Sequence, residues 1–273
     1  MRSSAPHPSL EFRRPTPGEE LIRFEHLKKS FGPKRVYDCL DLTVRAGETL
    51  VVIGGSGTGK SVLLKCLIGL LYPDAGRILF QGQDVTRFHE EDFLAVRRHV
   101  AMVFQGAALF DSLTVGENVA YPLREHFPEL SPQELARRVA EKLAWVDLPG
   151  TEGMMPADLS GGMRKRVGLA RAIATDPEII LWDEPTTGLD PVTTENINQM
   201  IRSMQKQLGC TSIVVTHDMM SAFTLSDRIA MLANRRIVQV GTPEEMKAST
   251  APEVRAFLDA RRQELWAQEE VAR

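Results

Sequence analysis

Cysteine is scarce: the 273 residues hold three, Cys39, Cys66 and Cys210, far apart and odd in number. That spacing suggests neither a disulfide framework nor a zinc motif, and it fits a reducing compartment. Long apolar runs are also missing. No stretch approaches the roughly 18–20 residues needed to span a bilayer, and the start MRSSAPHPSLEFRRPTP has no apolar signal core. Any membrane role therefore requires another chain to cross the membrane. Excess positive charge is absent as well: 33 Lys and Arg against 36 Asp and Glu give a formal charge of -3, with no basic stripe for a nucleic acid. What remains is an ordinary globular composition, 43% hydrophobic and 25% charged, long enough for one large domain or a domain with a small insertion.

The densest chemistry lies in Gly54-Gly55-Ser56-Gly57-Thr58-Gly59-Lys60-Ser61, which fits the phosphate-loop pattern of Gly, four residues, Gly, Lys, Ser or Thr. It follows the apolar run Thr49–Ile53 and precedes the apolar stretch Val62–Ile68, so the loop joins a buried strand to a helix. The four glycines are expected to turn the backbone with positive φ and bring N–H groups to an anion at a helix N-terminus. Lys60 would reach the outer phosphates and Ser61 would coordinate Mg2+.

Residues 1–19, with Pro6, Pro8, Pro15 and Pro17, predict a mobile tail. Leu21–Leu27 and Leu40–Val44 alternate as half-buried strands, with Phe31 and Tyr37 between them; either ring is suited to stack on a base. A short strand pair over Arg77–Asp84 and a charged helix over Glu90–Arg98 follow, and His99–Phe104 is a buried strand ending at Gln105. The amide of Gln105 is suited to face a Mg2+ ion or an attacking water, with a mobile segment after it. Residues 106–158 predict a helical insertion, with Ser131 as an N-cap.

Leu159-Ser-Gly-Gly-Met163 then opens a helix, and Ser160, Gly161 and Gly162 offer a second anion site at its start. The alternative is a plain capped helix on which Arg164, Lys165, Arg166 and Arg171 are solvated charges. Glu178–Asp183 is another apolar strand. Adjacent carboxylates point different ways at a strand end, so Asp183 can serve a metal and Glu184 a water. Asp190 closes the loop before a long helix, and a third apolar strand, Thr211–Thr216, ends at His217, which can donate to a phosphate. Two further strands end near Val240. In open α/β sheets, ligands bind beyond the carboxyl ends of such strands.

The order GGSGTGKS, Gln105, LSGGM, ILWDE, the Asp190 loop and His217 resembles the ATP-binding cassette (ABC) ATPases over about residues 21–242. The resemblance implies an α/β P-loop NTPase fold: a mixed sheet core, an antiparallel β subdomain and an inserted α-helical subdomain, with residues 243–273 as a helical extension. It also implies ATP and Mg2+ as ligands, with the metal near Ser61, Gln105 and Asp183, and catalysis by Glu184, His217, Gln105 and Lys60. Two copies would clamp two ATP molecules head to tail, Ser160 and Gly162 of one facing the phosphates of the other and Asp190 working across the interface; Phe31 becomes the base-stacking ring. Met163 stands where the family's signature usually has glutamine.

The stretch Val103–Leu123, the LSGGM signature and Val254–Leu258 resemble the ATPases of Mla/MCE phospholipid transport. That likeness implies a dimer on the cytoplasmic face of the inner membrane, docked on a permease dimer near Leu109 and Phe110, with an MCE-domain lipid-binding protein beyond and no nucleic-acid partner. Another solute as cargo, or a nucleotide-gated regulatory module, are the alternatives. Val254, Phe257, Leu258, Leu265 and Trp266 share helical spacing, read here as a stripe for a neighbouring subunit.

Overall fold

Period-2 patterning dominates the first third of the chain, and the computed structural model, which describes residues 12–259, opens with strands β1 (Glu20–Phe31) and β2 (Lys34–Arg45). Next come β3 (Thr49–Ile53), α1 (Lys60–Leu67), β4 (Ala75–Phe80), β5 (Gln83–Asp84), α2 (Glu90–His99) and β6 (Val100–Val103). Helices α3 (Val115–His126) and α4 (Pro132–Trp145), a 3-10 turn at Pro156–Asp158 and α5 (Gly161–Ala172) lead to β7 (Ile179–Asp183). The order closes with α6 (Pro191–Leu208), β8 (Thr211–Thr216), α7 (Met219–Leu225), β9 (Arg228–Ala233), β10 (Arg236–Gly241) and α8 (Pro243–Lys247).

Two sheets result. An antiparallel sheet has the order β2-β1-β4-β5, and a six-stranded sheet has the order β10-β9-β3-β8-β7-β6. In the second, β3, β6, β7, β8 and β9 run parallel, with β10 antiparallel at one edge. This is the α/β arrangement expected from three fully apolar strands, because a parallel sheet is covered on both faces and needs no alternation of polarity. Side-chain alternation divides its two faces between two cores. Val51, Ile53, Ile180, Trp182 and Val214 face α5, α6 and the helical insertion, whereas Leu50, Val52, Ile179, Leu181, Ile213 and Val215 face α1 and the antiparallel sheet. Each such side chain contributes about 1.5–3 kcal/mol of burial. Trp182, 1% exposed, keeps its indole N–H satisfied by donating to Ser212 Oγ at 3.2 Å.

Three readings of the sequence change. The first two strands are longer than their alternating cores, so Phe31 ends β1 and Tyr37 lies inside β2. Residues 12–19 are not a mobile tail: the Phe12 ring packs edge-on against Phe80 at 4.7 Å, and Gln81 Nε2 donates to the Arg13 carbonyl at 2.7 Å. Residues 1–11 lie outside the described part.

The third change concerns the C-terminal stripe. Val254 is fully buried in the same core as Trp182, and Phe257 and Leu258 pack against it, so these residues cover their own chain rather than a neighbour. Leu265 and Trp266 lie outside the described residues. The fold extends beyond Thr242, which caps α8 by accepting from Glu245 N, and Met246 of α8 is 0% exposed. Met246→Ala is therefore expected to lower unfolding free energy by about 2–5 kcal/mol, read from the midpoint of chemical denaturation at unchanged slope.

Candidate nucleotide-phosphate site

Strand β3 ends in the buried core and α1 starts at Lys60, so the loop between them lies at the carboxyl edge of the parallel sheet. Its glycines do different jobs. Gly57 (φ 73) and Gly59 (φ 108) have positive φ, as expected for this turn. Gly54 and Gly55 do not; Gly54 is needed for space, since a Cβ there would stand 2.5 Å from the Leu232 carbonyl oxygen. Thr58 Oγ1 donates to the Gly55 carbonyl at 2.9 Å and closes the loop on itself.

Tyr37 supports the loop from below. Its ring is 1% exposed, and its hydroxyl donates to the Gly59 carbonyl at 2.5 Å, which removes it from any stacking role. Phe31 is the exposed ring, 45% accessible, and it lines one cavity of about 510 Å³ with the phosphate loop. Gln105, Glu184 and His217 line the same cavity. Two polar residues there went unnoticed in the sequence: Lys34, paired across the hairpin with Phe31, and Thr187.

Four strands of the parallel sheet, β3, β6, β7 and β8, lead into this cavity. Lys60 is 6% exposed, and its ammonium donates to the Gly54 and Gly55 carbonyls at 3.1 and 3.2 Å while lying 3.4 Å from Glu184 Oε1. The other carboxylate oxygen, Oε2, accepts from Thr187 Oγ1 at 3.0 Å and stands 2.7 Å from His217 Nδ1. Glu184 adopts φ 51, an uncommon conformation for a side-chain-bearing residue that turns it out of the strand alternation. Asp183 keeps the alternation and faces α1, where it accepts from Ser61 Oγ at 2.5 Å. Burial pushes the Asp183 carboxyl above its ordinary pKa, with the Ser61 hydrogen bond opposing that shift. A buried carboxylate beside a serine hydroxyl, with the Gln105 amide lining the same pocket as Ser61, is a hard-oxygen set that fits Mg2+.

Ser160, Gly161, Gly162 and Asp190 are elsewhere, lining a separate cavity of about 800 Å³. Ser160 caps α5 by accepting from Met163 N at 3.2 Å, and Met163 itself packs partly into the core beneath. Asp190 caps α6 by accepting from Val192 N and Thr193 N at 3.1 and 3.0 Å. The basic residues of α5 all donate to backbone carbonyls, and all but the exposed Arg164 are half-buried. Arg164 donates to the Leu159 carbonyl, Lys165 to those of Pro185 and Thr187, Arg166 to those of Val146 and Asp147, and Arg171 to those of Ala107 and Ala108. Arg171 thus clamps the segment after Gln105 that the sequence suggested was mobile, and Ala107 packs close against Gly168, where a Cβ would stand 3.1 Å from the Ala107 Cβ.

The ABC transporter family model matches residues 37–187. The chain is 44% identical over 241 residues to the probable ribonucleotide transport ATP-binding protein mkl of Mycobacterium tuberculosis, covering 88% of this chain and 67% of that protein. It is 39% identical over 241 residues to the intermembrane phospholipid transport system ATP-binding protein MlaF of Haemophilus influenzae, covering 88% of this chain and 90% of that protein. Among solved structures, a dimeric ATP-binding cassette in a post-hydrolysis state with ADP and Pi superposes with a TM-score of 0.76 at 30% identity, over 82% of this chain and 99% of that one.

The Asp183 environment has a measurable consequence. Its raised pKa means that the folded chain prefers the protonated carboxyl, so ionisation costs stability once pH rises above the ordinary carboxylate value. Asp183→Asn is expected to make the nucleotide-free and Mg2+-free chain more stable than wild type at neutral pH. The difference should shrink as pH falls through the ordinary carboxylate range, as followed by thermal unfolding across a pH series.

Proposed function

The chain belongs to the ABC transporter ATPases, and from that premise we propose that it drives phospholipid transfer as the ATP-hydrolysing subunit of a membrane complex of Mla/MCE type. The binding and hydrolysis of ATP come with the family. The observation that carries the assembly is the split between the two cavities. Lys60, Ser61, Gln105, Glu184 and His217 surround one, while Ser160, Gly162 and Asp190 line the other. In a head-to-tail pair, the second cavity of one copy covers the first cavity of its partner.

Within one copy, the loop N–H groups and Lys60 hold the outer phosphates and Phe31 stacks on the base. Ser61, Asp183 and Gln105 would hold Mg2+, which would supply neutralisation of the phosphate charge. Glu184 faces the cavity as acceptor for the attacking water's proton, and His217 holds the carboxylate in place at 2.7 Å while its exposed side reaches toward the terminal phosphate. Ser160 and the bare N–H groups of Gly161 and Gly162 supply donors from the partner copy at a helix N-terminus, so the loss of a glutamine at Met163 leaves the anion-binding groups in place.

The permease is assigned to the face that carries Phe110 and Tyr121. These rings lie 4.9 Å apart and are 42% and 44% exposed, beside the segment clamped by Arg171. On this reading the ATPase sits at the cytoplasmic face of the inner membrane through its permease dimer, with an MCE-domain protein carrying lipid beyond it. The MlaF relatives favour phospholipid as cargo, whereas the mkl relative, named for ribonucleotide transport, favours a polar solute. Co-purified permease and ATPase, placed in vesicles with labelled phospholipid, separate the two: ATP-dependent lipid transfer supports the proposal, and solute uptake without lipid transfer replaces it. Glu184→Gln is expected to bind ATP near normally and to lose about 10²- to 10⁴-fold in turnover, measured by phosphate release under saturating Mg2+ and ATP.

A further inference from the structure

The β1–β2 hairpin, whose tip carries Phe31 and Lys34 to the nucleotide cavity, gathers three further side chains that hydrolysis does not use. His26 of β1 and Cys39 and Asp41 of β2 place one ligand-type atom each within 4.8 Å of one another, all on exposed residues. His26 Nδ1 lies 3.4 Å from Cys39 Sγ and 3.0 and 3.2 Å from the two Asp41 oxygens, and Cys39 Sγ lies 3.8 Å from Asp41 Oδ2.

We propose that His26, Cys39 and Asp41 form a binding site for a borderline divalent cation, Zn2+ by preference, on the outer face of the antiparallel sheet. Three arguments carry it. With Zn–S of about 2.3 Å and Zn–N or Zn–O of about 2.0–2.1 Å, tetrahedral ligands stand about 3.3–3.6 Å apart, and the four separations, from 3.0 to 3.8 Å, bracket that range. Both neighbours also converge on the same nitrogen. Nδ1 can accept from the thiol or donate to the carboxylate, but it cannot do both, so it is the shared point of the cluster; with Nδ1 and the thiol deprotonated, imidazole, thiolate and carboxylate present three ligand atoms to one cation. Thiolate, imidazole and carboxylate together select Zn2+ over Mg2+, and the fourth position faces solvent, open to water.

The backbone is arranged for this convergence. His26 has φ 49 and sits at an irregularity where the β1–β2 register shifts between Phe24 and Leu27. The bulge swings its ring toward β2, and its own N–H donates to Asp41 Oδ1 at 2.8 Å, which fixes the carboxylate. Gly76 of β4 leaves room for it: a Cβ there would lie 2.6 Å from the His26 carbonyl oxygen. The cysteine spacing along the chain hid the site, because strand pairing rather than sequence proximity brings the histidine to Cys39.

This assignment stands apart from the transport reading. Its test uses the full chain, nucleotide-free, reduced and stripped of metal, titrated with Co2+ and then Zn2+. One equivalent of Co2+ should give a sulfur-to-cobalt charge-transfer band that Zn2+ displaces. Cys39→Ser should abolish the band. Asp41→Asn and His26→Asn, the latter suited to the left-handed backbone, should each weaken Zn2+ binding by at least ~10-fold, with circular dichroism checking the fold. Absence of equimolar uptake by the wild-type chain, or a band that survives in folded Cys39→Ser, overturns the proposal.

Discussion

The site depends on where β7 stops and which way its last two residues turn. Asp183 obeys the strand alternation and meets Ser61 on the α1 side, whereas Glu184, at φ 51, leaves it and swings between Lys60 and His217. Such a backbone costs on the order of 1–3 kcal/mol and is held only because neighbours over-determine it. Glu184 N donates to the Val215 carbonyl at 2.9 Å, its carboxylate takes contacts from Lys60, Thr187 and His217, and the strand beneath is fully buried. The Lys60–Glu184 pair has a further consequence. A buried ion pair contributes little net stability, since desolvation offsets attraction, yet it leaves no unpaired charge in the nucleotide-free chain. On the proposed assignment, an incoming phosphate would compete for Lys60 with two carbonyls and a carboxylate, and by taking the ammonium would free one oxygen of Glu184.

The helix α5 joins this site to the rest of the molecule. Its first residues line the second cavity, Lys165 in its second turn holds the Pro185 and Thr187 carbonyls beside Glu184, and Arg171 in its last turn holds the segment after Gln105. Twelve residues at about 1.5 Å each make a rigid rod about 18 Å long. The Arg171 guanidinium ties the Ala107 and Ala108 carbonyls, beside Phe110, to the last turn of the helix that Ser160 caps at its start. On the proposed assembly this connects permease contact to the phosphates of the partner copy.

Much of this was legible in the sequence because local chemistry wrote it there. The phosphate loop, the apolar strands with polar ends and the Ser131 and Ser160 caps all depend on neighbours within a few residues, and each was found from spacing alone. What depended on distant partners was not visible. The choice between Phe31 and Tyr37 rests on burial beneath Gly59, and the lengths of β1 and β2 rest on their pairing with each other and, for β1, with β4. The basic run of α5 looks like ordinary solvated charge until the loops that supply its carbonyls are packed beside it. His26 and Cys39 are thirteen residues apart and share a site only through the hairpin.

The division of the site into two cavities has a geometric corollary. One chain presents both a phosphate-holding half and an N-terminal helix half, yet α5 is pinned to the Pro185–Thr187 loop and to the segment after Gln105, so its Ser160 end cannot fold back over Lys60 of the same copy. On the proposed assembly, the missing half comes from the same surface of a second copy. A two-fold pairing in which half A meets half B also brings half B to half A, and so completes two sites at once. Either nucleotide alone would bridge the two copies with only half of the bridging contacts. Closure thus gains most from the second ATP, and release of either phosphate weakens the contact that holds both.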